Sequence, residues 1–155
     1  MTLAALCHDI GHRGRTNAFE MNTLSDIAIK YHDTSILEQY HAALALKLLL
    51  KPQYNILKKI KQEIFNKIRK ILIDCILATD MKHHFPMIEE LEKKTAERIE
   101  SEKSIQDVIN DEWKMIAGYC THFSDLSGNM KKVSIARKWS VMISKEFSEQ
   151  VRLFY

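Results

Sequence analysis

The chain of 155 residues contains only 4 glycines and 2 prolines. Collagen-like, low-complexity and linker-rich sequences are rich in one or both of these residues, so the composition excludes these classes. Hairpin-rich β architectures need many turn formers, and the same shortage disfavours them. Because 46% of the residues are hydrophobic, the chain has enough apolar side chains for one folded domain of ordinary size.

Long hydrophobic runs are also missing. The longest apolar stretch, residues 42–50, is interrupted by Lys47 and is well short of the roughly 20 residues that span a bilayer. The first residues are apolar but have no basic segment before them, so no cleaved signal peptide is expected. These absences predict a cytoplasmic protein without a transmembrane segment.

Neither sign of charge dominates, since 23 basic and 20 acidic side chains give a net charge of +3. This mild charge gives no reason to expect a nucleic-acid partner. The cysteines are few and widely spaced, at Cys7, Cys75 and Cys120, and no CxxC pair occurs. We therefore expect reduced, buried thiols rather than a zinc ribbon or a redox site. The oligomeric state is not predicted.

Apolar residues recur at helical spacing through most of the chain. From Ile60 to Thr79 they fall three or four positions apart, with basic residues between them, which is typical of an amphipathic helix. The same spacing predicts further helices over residues 36–50, 87–101, 105–120 and from 133 past 147. We expect residues 87–101 to form a peripheral helix and the last two helices to pack inward. The sequence thus predicts one all-α unit over residues 1–155.

The helix predicted over residues 36–50 has a recognisable start. Ser35 and Glu38 have the spacing of a capping box, in which the two side chains bind free backbone N–H groups. Pro86 marks a start or a kink for the peripheral helix.

The segment from His8 to His12 places three potential metal ligands within five positions. His8 and His12 share a helix face if the turn continues, and Asp9 lies about 100° around the helix from His8. An imidazole nitrogen and a neighbouring carboxylate can bind the same divalent ion. Two ligands do not complete a site, so a further ligand has to come from elsewhere in the chain.

Asp125 is a candidate for that ligand, because it ends an apolar helix that must fold back on the core. A buried carboxylate is costly unless it is paired or binds a metal. The alternative, which spacing alone favours, is that Asp125 caps the following segment at Ser127 and Gly128. His122, three positions earlier, either lines the same helix face or is a hydrogen-bonded core histidine. His83 and His84 are expected to be exposed.

Five motifs occur in one order between about residues 3 and 150: AALCHDIGHRGRTNAF, SDIAIKYHDTSILEQYH, ILATDMKHH, HFSDLSGN and ARKWSVMISKEFSEQ. Together they closely resemble the catalytic domain of the class I 3',5'-cyclic nucleotide phosphodiesterases. The resemblance implies an all-α, multi-helix fold, of which residues 1–155 form a single partial catalytic domain.

The resemblance also implies two divalent metals, zinc (Zn²⁺) and magnesium (Mg²⁺) or manganese (Mn²⁺). It identifies His8, Asp9 and Asp125 as three of the four protein ligands of the zinc, with Asp9 also directed toward the second metal. The same resemblance implies two further groups of residues. The residues expected to orient water on the metals are His12, Asn17, Glu38 and Thr79. The residues expected to line the nucleotide pocket are Met81, Leu126, Ile143 and Phe147.

The implied activity is metal-dependent hydrolysis of the 3' ester bond of cAMP or cGMP to 5'-nucleoside monophosphates in signal transduction. Two metals make a bridging water more acidic and offset charge on the phosphate. In the family an upstream histidine protonates the leaving group, a second one is the remaining zinc ligand, and a downstream glutamine and aromatic residue bind the purine. The chain contains none of these four, so we expect it to be weakly active or inactive. Preference between cAMP and cGMP is not predicted.

Two other functions remain open. One is metal-dependent phosphohydrolysis of another substrate, as in distant relatives that share only the His-Asp core, although the match around ILATDM and SDLSG disfavours it. The other is a non-catalytic helical module that binds cyclic nucleotide weakly or pairs with a partner. The absence of bound metal would favour this second alternative.

Overall fold

The computed structural model describes residues 1–101 and 104–154, and every regular element in these ranges is helical. The all-α prediction is confirmed. None of the described helices is both long and apolar enough to cross a bilayer. The α-helices are α1 Thr2–Cys7, α2 Asn17–Asn22, α3 Asp26–Tyr31, α4 Ile36–Leu49, α5 Gln62–Leu77, α6 His84–Glu100, α7 Ile105–Asp125 and α8 Val133–Phe154, and Met81–His83 and Leu126–Met130 are short 3₁₀ helices.

The core forms where α1, α4, α5 and α7 meet. Alanines supply four of its eight buried members, and such small side chains let helix backbones approach closely. A second cluster joins the start of α4 to α3, so α4 contributes buried side chains to both clusters. The main cluster contains Ala4, Ala42, Ala45, Leu49, Leu72, Cys75, Ile76 and Ala117, and the second contains Ile27, Ala28, Ile36 and Leu37.

Helix α4 begins without the predicted capping box. Ser35 has a left-handed backbone with φ +43° and its side chain makes no capping hydrogen bond, so that prediction is wrong. Instead, the backbone N–H of Leu37 donates to Oδ1 of Asn17 at 2.9 Å, while Glu38 accepts a hydrogen bond from the same Asn17 side chain. The free N–H group is therefore satisfied by α2 and not by a local side chain.

Helix α6 is peripheral, as predicted, because none of its described side chains is buried. It begins at His84, two residues before Pro86. Two of its contacts with α7 are polar: the hydroxyl of Tyr119 donates to Glu90 at 2.6 Å, and Arg98 pairs with Glu112. An open groove of about 650 Å³ lies between the two helices.

Inward packing of the last two helices is only partly confirmed. In the C-terminal half of α7 the buried side chains are those of Ala117, Tyr119, Thr121 and His122, but Ile105 at the start of the helix is 81% exposed. On α8, Trp139 is 55% exposed, and Gln150 is the only buried residue among those whose side chains are described. Periodicity correctly indicates which face of α8 is apolar, yet no described element lies over that face.

The three cysteines are free thiols, in agreement with the expectation that they are reduced. Cys75 is buried and Cys7 is half-buried, but Cys120 is exposed and lines the groove between α6 and α7. The expectation of buried thiols is therefore wrong for Cys120, because its side chain faces the open groove between α6 and α7.

Candidate metal centre

The structure brings together His8, Asp9 and Asp125, which lie at the end of α1 and the end of α7. Nε2 of His8 is 3.0 Å from Oδ1 of Asp125 and 3.4 Å from Oδ2 of Asp9. One ligand atom from each residue lies within 4.8 Å of the others. The helices that carry these residues converge because Ala4 of α1 and Ala117 of α7 belong to the same buried cluster.

Asp125 does not cap the segment that follows it. Its side chain makes no capping hydrogen bond at the start of the 3₁₀ helix Leu126–Met130, so the alternative that spacing favoured is contradicted. The carboxylate instead faces His8, across 117 positions of sequence.

The imidazole of His8 is held in the orientation that a metal ligand needs. Its Nδ1 donates to the carbonyl of Ala5 at 2.8 Å, which directs Nε2 toward the two carboxylates. The hydrogen bond to Asp125 raises the pKa of His8 to about 9, although burial acts in the opposite direction. A ligating histidine commonly donates its second nitrogen to a backbone carbonyl in this way, and a metal takes the place of the Nε2 proton. These residues therefore fit a divalent metal.

A second group of potential ligands contains Asp9, His12 and His41, again with one ligand atom from each within 4.8 Å of the others. Nδ1 of His41 donates to the carbonyl of Ile10 at 2.7 Å. Its Nε2 is buried, has no hydrogen-bond partner among the described residues and lies 3.8 Å from Oδ1 of Asp9. Burial lowers the pKa of His41, which favours the neutral ring. Because Nδ1 donates to Ile10, the lone pair of the neutral ring lies on Nε2.

His12 stacks on His41 with the ring centroids 5.7 Å apart. The backbone N–H of Gly14 donates to Nδ1 of His12 at 3.0 Å, so a neutral His12 carries its proton on Nε2 and can donate it. His41 was not among the site residues expected from the sequence. The available signal was its position three residues after Glu38, on the same face of α4.

Gly11 makes the close approach of this loop to α4 feasible. Its backbone has φ +74°, and a Cβ at this position would lie 2.6 Å from Cδ2 of Leu44 and 3.2 Å from Cε1 of Tyr40. Both the conformation and the space require glycine. The tight turn carries the chain back across α4, which allows His12 to reach His41.

Asn17 and Glu38, two of the residues expected to orient water, contact each other directly. The amide Nδ2 of Asn17 donates to Oε2 of Glu38 at 3.0 Å. Burial raises the pKa of Glu38, and the bond from Asn17 opposes this effect. Thr79 is buried just after α5, and its hydroxyl donates to the carbonyl of Ile76 at 2.8 Å, which leaves its oxygen free only as an acceptor.

Three of the four residues expected to line a nucleotide pocket are exposed at the surface. Met81 is 56%, Ile143 is 46% and Phe147 is 52% exposed, whereas Leu126 is half-buried. None of these four lines the groove between α6 and α7 or the smaller apolar groove of about 150 Å³ beside α1, α4 and α5.

Helix α8 is attached beside the candidate site through Gln150, which the sequence analysis did not single out. Oε1 of Gln150 accepts hydrogen bonds from the backbone N–H of Thr16 at 2.9 Å and from its hydroxyl at 3.0 Å. Thr16 is the N-cap residue of α2, and Asn17 follows it. The attachment places α8 next to the loop that contains the histidines.

The fold and these two ligand groups define an all-helical protein with a candidate divalent-metal centre built from histidines and carboxylates. The sequence model of the family described as 3'5'-cyclic nucleotide phosphodiesterase matches residues 1–153. The chain belongs to this family, which confirms the resemblance found in the sequence. Membership implies that divalent metal is bound.

Similar proteins cover nearly the whole chain. It is 36% identical over 152 residues to the dual 3',5'-cyclic-AMP and -GMP phosphodiesterase beta of Plasmodium falciparum, which covers 97% of this chain and 13% of that protein. It is 34% identical to the cGMP-inhibited 3',5'-cyclic phosphodiesterase 3A of Rattus norvegicus, covering 96% of this chain and 13% of the relative. The chain thus spans less than one fifth of the length of these relatives.

A solved structure shows the same fold. The crystal structure of the phosphodiesterase domain of the RhoPDE fusion protein from the choanoflagellate Salpingoeca rosetta superposes with a TM-score of 0.88 at 34% sequence identity. The match covers 97% of this chain and 47% of that one, so the chain corresponds to somewhat less than half of the solved domain.

Proposed function

We propose that residues 1–155 form part of a phosphodiesterase catalytic domain that hydrolyses the 3' phosphodiester bond of cAMP, cGMP or both to 5'-nucleoside monophosphates in signal transduction. One observation carries this proposal: ligand atoms of His8, Asp9 and Asp125 converge within 4.8 Å. The similar proteins include a phosphodiesterase named for both cyclic nucleotides, which supports the substrate class.

For the metals, the proposal assigns zinc to His8, Asp9 and Asp125, and magnesium or manganese to the side of Asp9 that faces His12 and His41. Zinc accepts imidazole nitrogen together with carboxylate oxygen. Magnesium prefers oxygen and keeps several waters, so Asp9 would bind it directly while His12 and His41 would face its waters. When bound, two such ions would make water more acidic and neutralise negative charge on the phosphate. The two groups of ligands on either side of Asp9 support two adjacent sites.

The other residues act on water and nucleotide in this proposal. The Nε2–H of His12 and the Glu38 carboxylate would orient water, and Asn17 would hold Glu38 in place through the bond between their side chains. Thr79 would accept a hydrogen bond. Exposed apolar side chains offer contacts to the base: Met81, Ile143 and Phe147, with the half-buried Leu126.

Zinc binding tests the metal assignment directly. Calorimetric titration of the full chain should show saturable zinc binding, and Asp125→Asn should weaken it at least about tenfold because a charged ligand is lost. The matched control is Asp26→Asn, an exposed aspartate at the start of α3, which should bind zinc like the unaltered chain. Failure of the unaltered chain to bind zinc, or equal binding by Asp125→Asn, contradicts the proposal.

His8→Asn should weaken zinc binding similarly, because the ligating imidazole nitrogen is removed. His32→Asn is the matched control, since His32 is exposed and has a left-handed backbone that asparagine tolerates. If both variants lose zinc affinity equally, His8 is not a zinc ligand.

Turnover tests the reaction. With zinc and magnesium present, chromatography should detect 5'-AMP or 5'-GMP formed slowly, about 10²- to 10⁴-fold below the rate of an enzyme with a placed general acid. The reason is that none of the residues assigned here protonates the O3' leaving group. Asp125→Asn should abolish this turnover, while Asp26→Asn should retain it. A 3'-nucleotide product, or turnover that persists in Asp125→Asn, excludes the mechanism.

A cytoplasmic location is also part of the proposal. The three cysteines are free thiols, which suits a reducing compartment. Fractionation of cells expressing the chain with a small epitope tag should recover it with cytosolic marker proteins, and recovery with secreted proteins would contradict this location.

A further inference from the structure

Outside the two ligand groups, a pair of histidines joins α6 to α7. Nδ1 of His84 and Nε2 of His122 are 3.0 Å apart, and the ring centroids are 5.2 Å apart. His122 is completely buried at 0% exposure, which agrees with a core histidine. His83 and His84 are both half-buried, so the expectation that they are exposed is wrong. For His84 the reason is that this residue begins α6 against α7 and does not lie in an open turn.

The pair links two segments that carry proposed site residues. His122 precedes Asp125 by three positions, so the two side chains project from the same face of the last turn of α7. His84 follows Thr79 by five positions, directly after the 3₁₀ helix Met81–His83. The contact therefore fixes the last turn of α7 against the segment that follows α5.

The surroundings of the pair favour a neutral hydrogen bond. Burial lowers the pKa of His122, and Phe123 packs edge-on against His84 at 6.4 Å. In a neutral pair one nitrogen donates its proton and the other accepts it. Because the contact is largely removed from water, loss of one partner leaves a polar group of fully buried His122 unsatisfied, at a cost larger than that of an exposed bond.

We propose that the hydrogen bond between His84 and His122 positions Asp125 for metal binding. His122 and His84 are positioning residues and not ligands, and the inference rests on the proposed zinc site. Asp125 is the last residue of α7, and helix ends open more readily than helix interiors. A fixed last turn holds the carboxylate near His8 before the metal arrives. Partners that orient metal ligands in this way typically contribute about 10- to 100-fold in affinity.

The test compares His84→Asn with His84→Gln in the full chain. The amide of asparagine lies near the position of Nδ1 and can bind Nε2 of His122, whereas the longer glutamine carries its amide beyond that position. Calorimetry should show zinc affinity close to that of the unaltered chain for His84→Asn and about 10-fold weaker for His84→Gln. His83→Gln is the matched control, because His83 is the adjacent half-buried histidine and should have no effect.

Two readouts separate positioning from a merely structural role. Side-chain ¹⁵N NMR should show Nδ1 of His84 and Nε2 of His122 sharing one proton in the unaltered chain, and urea denaturation should show how far each variant is destabilised. Equal zinc affinity of folded His84→Gln and the unaltered chain overturns the inference. If the unaltered chain binds no zinc, the proposed function fails and the inference fails with it. Failure of the inference alone is therefore recognised by zinc binding that is present and is unchanged in His84→Gln.

Discussion

The two carboxylate oxygens of Asp9 lie near two different histidines. Oδ2 lies 3.4 Å from His8, and Oδ1 lies 3.8 Å from His41. The side chain is 60% exposed, so its charge keeps much of its hydration and the desolvation cost is small. Because each oxygen faces a different imidazole, this one carboxylate can take part in both ligand groups.

At the same scale, Gly11→Ala should destabilise the protein. The substitution places a side chain at φ +74° and a Cβ only 2.6 Å from Leu44. We expect the free energy of unfolding to fall by about 1–3 kcal/mol. Urea denaturation followed by circular dichroism measures the loss.

Gly128→Ala is the control for this substitution, because a Cβ at Gly128 meets no atom within 4 Å and its backbone is not left-handed. It should change stability by less than about 0.5 kcal/mol. If Gly11→Ala is no more destabilising than Gly128→Ala, the tight approach of this loop to α4 does not occur in solution.

At the scale of elements, the sequence predicts most of the helices but not how they begin or what covers them. Periodicity predicts α4 to α7 because apolar side chains must share one face. The cap of α4 was predicted incorrectly, because its partner is Asn17 on another helix and local spacing carries no information about such a contact. The exposed face of α8 was predicted as buried for a similar reason, since a pattern identifies an apolar face but not its neighbour.

In the candidate site, too, local sequence spacing selects some residues and not others. His8 and Asp9 could be selected from local spacing, but assignment of Asp125 depended on the family resemblance, because its partner lies 117 positions away. Neither local spacing nor the resemblance led us to the pair of His84 and His122, which depends on the packing of α6 against α7.

Gln150→Ala should loosen α8 from the rest of the protein. The substitution removes two hydrogen bonds from Thr16 and leaves a backbone N–H without its partner. We expect a loss of about 1–3 kcal/mol in unfolding free energy, together with faster proteolysis within α8. Urea denaturation and limited proteolysis measure these effects.

Gln53→Ala, at an exposed position in the segment between α4 and α5, is the comparison for Gln150→Ala. It should change stability by less than about 0.5 kcal/mol. If the two variants have equal free energies of unfolding and equal rates of proteolysis, Gln150 does not attach α8.

For the whole molecule, the main feature is the number of apolar side chains exposed on α7 and on α8. The exposed side chains on these two helices include Ile105, Ile109, Trp113, Val133, Trp139, Val141, Met142 and Phe147. Extended apolar surfaces of soluble proteins promote association with other surfaces. The chain should therefore self-associate as its concentration rises.

Trp139→Ser should reduce this self-association, because it removes a large apolar side chain from α8 that is 55% exposed. Light scattering over a concentration series measures the effect. Leu6→Ser is the control, since Leu6 on α1 is exposed but lies outside the surface of α7 and α8. Scattering that is independent of concentration, or equally reduced in both variants, contradicts the prediction.

The bond between His8 and Asp125 also has a consequence for the order of folding. Its partners are separated by 117 residues, so the entropy of closing a very long loop must be overcome before they meet. Contacts of this kind form late, after local helices have assembled. A cation that needs both side chains binds only the completed arrangement, and its binding energy then stabilises the whole folded chain rather than any early intermediate.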